Sequence, residues 1–251
     1  MDRLTLITAC IPPCRRLIDV GSDHATVPIS ILNRGICEQV LITDVHRGPI
    51  EVARRRIEEA GLSDVCRFVL TDGLDDVAPE EGDVLLISGL GGENIAGILE
   101  RGYHKLSRFY RLIFQPQTRD YLLRNAIDRL SLTFLDERVA VENRRPYLVM
   151  ICDSSIGEPG MQLSPLQMEF GPKILERVEE TIQVIPHIPE LNVNVRTALE
   201  VLSAFELFDL QNRARLVYLL SKYEKITRRA RFHLRDQALL NAFDEWFLSL
   251  F

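Results

Sequence analysis

The sequence lacks any run of about 18 consecutive apolar residues, so no segment has the length and hydropathy of a transmembrane helix. It lacks the pattern of a secretory leader as well. The opening stretch MDRLTLITACIPPCRR is apolar for only a few residues and carries charge at both ends. Cysteine is scarce and odd in number: Cys10, Cys14, Cys37, Cys66 and Cys152. Cys37, Cys66 and Cys152 lie in or beside apolar runs, where a reduced thiol behaves as a small hydrophobe. Cys10-x-x-x-Cys14 resembles half of a zinc site, but no second Cys/His pair follows at ligand spacing, so plain structural thiols and no metal are expected. The missing disulfide framework favours a reducing compartment, and a cytoplasmic protein without membrane partners is expected.

An excess of positive charge is missing too. The formal net charge is −6, which argues mildly against a nucleic-acid partner because phosphate binding rests on Lys and Arg. The basic residues are nevertheless clustered, as Arg54-Arg55-Arg56, Arg144-Arg145 and Arg228-Arg229-Ala230-Arg231. Such clusters are commonly solvated helix faces or loops, and they permit a polyanionic partner without requiring one. Internal repeats and low-complexity tracts are also absent.

What is present, through about residue 150, is a series of short apolar runs separated by helical patterns. The runs are Leu17–Val20, Val40–Val45, Cys66–Leu70, Asp83–Ser88 and Arg111–Phe114. Continuous apolar strands are buried on both faces, which predicts a parallel sheet covered by helices. Arg47–Ala60 reads as a helix with Gly48-Pro49 near its start and Gly61 past its end. Thr118–Leu130 reads as another, with Thr118 or Asp120 near its start. Strand and helix in alternation are the doubly wound α/β plan. Thr133–Glu142 and Pro146–Cys152, joined by Asn143-Arg144-Arg145, then predict a terminal antiparallel hairpin.

Asp153–Gly160 is a turn-rich linker, and the expected division is residues 1–153 and 161–251. The second part reads as a small helical domain. Leu216, Leu219, Leu220, Tyr223 and Ile226 form a helical stripe, with Arg213, Arg215, Lys222, Glu224 and Lys225 expected on the other face. Pro186 and Pro189 are expected to break the helical region in two.

The chemistry concentrates at the ends of the strands. Leu17–Val20 passes into Gly21-Ser22-Asp23-His24-Ala25 and a helix starting near Ala25. A dinucleotide site would place Gly-x-Gly-x-x-Gly there to seat a pyrophosphate on the helix N-terminus. Here the other two glycines are missing and acids stand instead. Carboxylates repel pyrophosphate and attract cations, so Asp19 and Asp23 suit S-adenosylmethionine, which carries an ammonium and a sulfonium. Gly21 lets backbone approach the ligand closely. Asp44 ends the second strand, where an acid hydrogen-bonds ribose hydroxyls. Thr71-Asp72-Gly73 ends the third, where Asp72 can accept from an adenine amino group. Any one acid has a bland reading, such as helix capping; three at successive strand ends, with Gly21, form a joint cofactor signature. Ser88-Gly89-Leu90-Gly91-Gly92 and Gln115-Pro116-Gln117 end the fourth and fifth strands, and each alone is equally well an ordinary turn.

Asp-Val-Gly-Ser-Asp-His-Ala at 19–25, Gly48-Pro49, Thr-Asp-Gly-Leu at 71–74, Gly-Leu-Gly-Gly at 89–92 and Gln-Pro-Gln at 115–117 resemble the bacterial tRNA (adenine-22-N1)-methyltransferase family. The resemblance spans about residues 3–152 and continues weakly in Glu169-Phe170-Gly171-Pro172. It implies a class I methyltransferase fold with a helical, partly coiled-coil C-terminal domain, S-adenosylmethionine as cofactor and tRNA as partner. By position it places Asp19, Gly21, Ser22, Asp23 and His24 at the methionine end, Asp44 at the ribose, and Asp72, Gly73 and Leu74 at the adenine. Gly89, Gly91, Gln115, Pro116 and Gln117 would border the target base, with Gly89 also at the cofactor. Leu90, Gln117 and Asp44 stand where the family commonly has Met, Asn and Glu, swaps that keep size and hydrogen-bonding type.

The implied chemistry needs little acid–base help, because adenine N1 has an in-plane lone pair and is mostly unprotonated at neutral pH. Orientation and electrostatics then carry the reaction. Other classes remain open at this level: a methyltransferase acting on a small molecule, an NAD-dependent oxidoreductase, or a cofactor-binding module without turnover. Oligomeric state, monomer or dimer, is likewise open.

Overall fold

A computed structural model describes residues 1–22, 24–154, 162–183, 194–204 and 208–251. The chain divides into two compact units, one of Asp2–Asp136 with Val149–Gln162, the other of Met1, Glu137–Leu148 and Leu163–Phe251. Among the described residues no helix is long and apolar enough to cross a membrane.

The strands are β1 (Cys14–Val20), β2 (Cys37–Asp44), β3 (Cys66–Leu70), β4 (Asp83–Ser88), β5 (Phe109–Gln115), β6 (Thr133–Glu142) and β7 (Arg145–Asp153). They form one seven-stranded sheet in the order β3-β2-β1-β4-β5-β7-β6. β1 pairs parallel with β2 and β4, β2 with β3, and β4 with β5, while β7 runs antiparallel to β5. This is the expected doubly wound sheet with a terminal antiparallel hairpin. The chain leaves β1 for β2 on one side and reaches β4 on the other, so a crevice opens at the carboxyl end of β1, where ligands bind in such sheets.

Helices α1 (Arg3–Cys10), α2 (Thr26–Asn33), α3 (Arg47–Glu59), α4 (Gly92–Arg101), α5 (Tyr103–Leu106) and α6 (Asp120–Arg129) accompany the sheet. Leu17, Ile18, Val84, Leu85, Leu86, Ile87, Leu112, Ile113 and Phe114 are buried to 1% exposure or less, as central parallel strands require.

Several boundaries differ from the expected ones: β2 spans Cys37–Asp44 where the sequence predicts Val40–Val45, β5 spans Phe109–Gln115 where it predicts Arg111–Phe114, and three others have a local reason. β1 starts at Cys14 rather than Leu17, because Arg16 lies over the sheet with its Nε 3.1 Å from the buried Asp83 carboxylate and so belongs to the strand despite its charge. α6 starts at Asp120 because Arg119 is left-handed, with φ 52°. Arg145 belongs to β7 and not to the link, because Asn143 and Arg144, with φ 50° and 62°, make a two-residue turn by themselves.

The other unit contains α7 (Pro165–Phe170), α8 (Pro172–Gln183), α9 (Val195–Ser203), α10 (Leu210–Ala230) and α11 (Leu234–Leu248). Ser164 and Gln167 form a reciprocal capping box on α7. Phe170 stacks on Phe243 with centroids 4.2 Å apart, and Leu199, Leu216 and Leu219 are fully buried nearby in the core. Two charges expected on the solvent face of α10 are buried instead. Arg215 donates to the Glu137 carbonyl at 3.3 Å, and Lys222 pairs with Glu169 at 3.0 Å. Internal partners offset part of the cost of burying them. The expected break at Pro186 and Pro189, and most of the 153–160 linker, lie outside the described residues.

Candidate functional site

The crevice at the end of β1 is a cavity of about 540 Å³. Gly21, Asp44, Asp72 and Gly73, from the ends of β1, β2 and β3, line one side, and Leu90 and Arg101 stand among its other walls. Three successive strand ends thus meet there as the sequence pattern predicts. Backbone hydrogen bonds continue the sheet into the loops: Gly21 N–H donates to Thr43 O at 2.8 Å, and Thr71 N–H to Asp44 O at 3.0 Å.

Each wall has a local cause. Gly21, at φ +78°, turns the chain, and a Cβ there would meet Leu90 at 3.5 Å. Gly73, at φ +61°, is more constrained, because its Cβ would lie 2.8 Å from Ile98 of α4. Lys105 Nζ donates at 2.6 Å to the carbonyls of both Leu74 and Asp75, which pins the loop after β3. Leu74 itself is buried and packs the loop rather than facing the cavity. Asp44 accepts from His46 N–H at 2.8 Å, so one carboxylate oxygen is fixed. Asp72 Oδ1 lies 2.8 Å from Arg101 Nη2.

Asp19 sits differently. It is buried under the first loop and does not line the cavity. Burial pushes its carboxyl up to about 6, against the opposing hydrogen bond from Ser22. Ser22 is buried with it. His24 is exposed and off the cavity wall, its carbonyl accepting from Arg56 Nη1 at 2.6 Å. Asp23 lies outside the described residues.

The fourth and fifth strand ends are joined. Gly89 N–H donates to Gln115 O at 3.0 Å, Gln117 N–H to Leu90 O at 2.8 Å, and Gly92 N–H to Thr118 O at 2.7 Å. A Cβ on Gly92 would fall 2.3 Å from Arg119 O, so only glycine permits this approach. Gly91 caps α4 and Gly89 is left-handed at φ +83°. Gln115 is fully buried, with its Nε2 on Pro116 O at 3.0 Å, and Pro116 is buried too. Gln117 is exposed, with its Nε2 3.5 Å from Gln115 Oε1. Of the three residues of this motif only Gln117 is exposed, and none of them lines the cavity.

Sequence reasoning missed the wall supplied by α4. Asn94, Gly97, Ile98 and Arg101 line the cavity at i, i+3, i+4 and i+7, one helix face. That spacing after Gly91-Gly92 was the available signal. His46 and Pro49, at the start of α3, also line it.

The donor set fits an adenosine-containing cation. The rim is acidic at Asp44, Asp72 and Glu93, and Gly21 and Gly73 keep Cβ atoms away from it.

Residues 1–150 match the methyltransferase domain family. Over 152 residues, 61% of this chain, the sequence is 30% identical to the tRNA (adenine(22)-N(1))-methyltransferase of Bacillus subtilis, and the match spans 64% of that relative. A solved Streptococcus pneumoniae structure, described as a candidate tRNA (m1A22) methyltransferase, is similar with a TM-score of 0.66 and 27% identity, over 90% of this chain and 98% of its own. The same Streptococcus pneumoniae protein in complex with S-adenosyl-L-methionine gives 0.63 and 28%, over 89% and 97%.

Proposed function

The chain belongs to the methyltransferase domain family, and from that premise we propose that it transfers a methyl group from S-adenosylmethionine to N1 of an adenine in tRNA, adenine 22. The observation that carries the reading is the cavity where Gly21, Asp44 and Asp72 meet at three successive strand ends. Its similarity to the Bacillus subtilis and Streptococcus pneumoniae proteins supports the substrate.

Asp44 takes the ribose hydroxyls with the oxygen that His46 leaves free, and Asp72 takes the adenine amino group while Arg101 fixes its other oxygen. Gly21 and Gly73 keep that surface open, and Leu74 packs the loop beneath. Asp19 and Ser22 form the buried support of the first loop, which carries Asp23 to the methionine end, while His24 stands off the cavity wall. S-adenosylmethionine supplies an electrophilic methyl group when bound.

The protein's part in the reaction is orientation, since adenine N1 needs no general base. Gly89 and Gly91 border the target base. Gln117 holds its edge, and Gln115 and Pro116, buried behind, position Gln117. Because N1 lies on the Watson–Crick edge, the base must leave its pair first. Residues 161–251 and the basic clusters hold the RNA, and residues 1–153 hold the cofactor.

The test is mass mapping of nucleosides in unmodified tRNA incubated with the protein and labelled cofactor. N1-methyladenosine at position 22 is expected in the wild type. Gln117→Ala is expected to lower kcat about tenfold, the loss of one hydrogen bond to a charged group, with cofactor affinity unchanged. Label that appears only in small molecules of an extract would contradict the tRNA assignment.

A further inference from the structure

Two of the five cysteines stand opposite each other at the end of the sheet remote from the cavity. Cys14 opens β1 and Cys37 opens β2, and the two are register partners in the parallel ladder. Register partners project to the same face, and neighbouring strands lie about 4.8 Å apart, inside the Cα separation a disulfide accepts. Cys14 N–H donates to Ile36 O at 3.0 Å, which fixes the backbone beside the pair. The two thiols influence each other, Cys14 being raised in pKa and Cys37 lowered. Both are reduced, Cys37 buried and Cys14 part-exposed.

We propose that Cys14 and Cys37 are a redox-active dithiol, a modification site that closes to a cross-strand disulfide when it meets a small-molecule disulfide. A metal reading is weaker, because among the described residues no group of three or more His, Cys, Asp or Glu side chains is placed to hold an ion. Cys66, on the neighbouring strand β3, is instead a register partner of Val40.

The exposures divide the labour. Cys14, within reach of solvent, attacks the small disulfide as its thiolate; one sulfur of the reagent becomes bonded to Cys14 and the other leaves as a thiolate. Cys37, buried alongside, then attacks the Cys14 sulfur and expels the second half of the reagent. Two cysteine thiols lose two electrons and two protons, and one small disulfide becomes two thiols. Cys37 is the more acidic thiol of the pair and Cys14 the less acidic, so the first attack by Cys14 is the slow step and closure by Cys37 the fast one. The closed loop, residues 14–37, contains β1 and the glycine turn at Gly21, so closure restrains the unfolded chain across that segment.

The test equilibrates the full chain with glutathione buffers from fully reduced to fully oxidised, alkylates the remaining thiols and maps the peptides. Closure predicts a mass lower by two hydrogens, a Cys14–Cys37 cross-linked peptide, reversal by dithiothreitol, and a Tm raised by about 5 °C or more. Cys14→Ser and Cys37→Ser each abolish the cross-link, and Cys66→Ser leaves it. Mapping of the wild type alone decides the matter if a variant folds poorly. All five thiols alkylated after oxidised glutathione, a glutathione adduct on Cys14 that never closes, or a cross-link between other cysteines would each overturn the proposal.

Discussion

Asp19 is an acid held away from water and away from the cavity it supports. An aspartate in the unfolded chain titrates near about 3.9, whereas burial pushes this one up to about 6 in the folded protein. Between those values the folded state binds the extra proton. Stability from this group is therefore greatest below about pH 4, falls as pH rises through 6, and above that is lower by up to about 3 kcal/mol. Asp19→Asn removes the ionisation, so its Tm gain over wild type should be small near about pH 4 and large near about pH 7.5. Thermal denaturation at both values checks this; an equal shift at both would mean that the carboxylate is stabilised in place by partners.

At the same scale, the residues most readable in the sequence were those whose type is unusual for their position. Acids at strand ends in place of glycines marked Asp44 and Asp72, and both stand on the cavity. Gln115 and Gln117 looked equivalent as letters. Only the fold distinguishes them, since the last residue of β5 points into the interior and the residue past Pro116 points out. Arg101 was not legible because a lone arginine at a helix end has no sequence mark; its partnership with Asp72 crosses 29 positions.

Elements were legible where periodicity was unmixed. β3, β4 and β6 begin and end where their apolar or alternating patterns do. The start of β1 was hidden by two arginines, and α1 and α4 were hidden by short length and by the glycines that open α4. α10 showed its apolar stripe, but Arg215 and Lys222 read as solvent-facing because charge alone does not announce a buried partner. The clearest such partner is Glu137. It is fully buried on β6, and its Oε2 accepts the backbone N–H groups of Lys173 at 3.0 Å and Ile174 at 3.3 Å, at the start of α8. A carboxylate at a helix N-terminus satisfies amides that have no partner within the helix. Glu137→Ala orphans these buried donors, and a loss of about 2–4 kcal/mol is expected in urea denaturation; a change under about 0.5 kcal/mol would show that water replaces the carboxylate without cost.

For the whole molecule, charge is the property that most constrains a polyanionic partner. With a net charge of −6, affinity for RNA has to come from local clusters. Arg228, Arg229 and Arg231 end α10, where Arg229 is already paired with Asp236 at 3.0 Å. Changing all three to Ala should weaken tRNA binding at low salt by about tenfold and reduce the slope of log K against log salt by about one to two, leaving cofactor affinity as it was. Filter binding across a salt series gives both numbers. An unchanged slope would move the RNA contact elsewhere, Arg54–Arg56 and Arg144–Arg145 being the remaining clusters.

The account rests on carboxylates at successive strand ends receiving a cationic adenosine. Calorimetric titration of S-adenosylmethionine into the wild type and Asp44→Ala addresses it most directly. Saturable one-site binding is predicted for the wild type, with Kd raised about 10- to 100-fold in the variant, the loss of hydrogen bonds from a charged acceptor. Equal affinity in the two proteins, or no heat of binding in the wild type, would contradict the account.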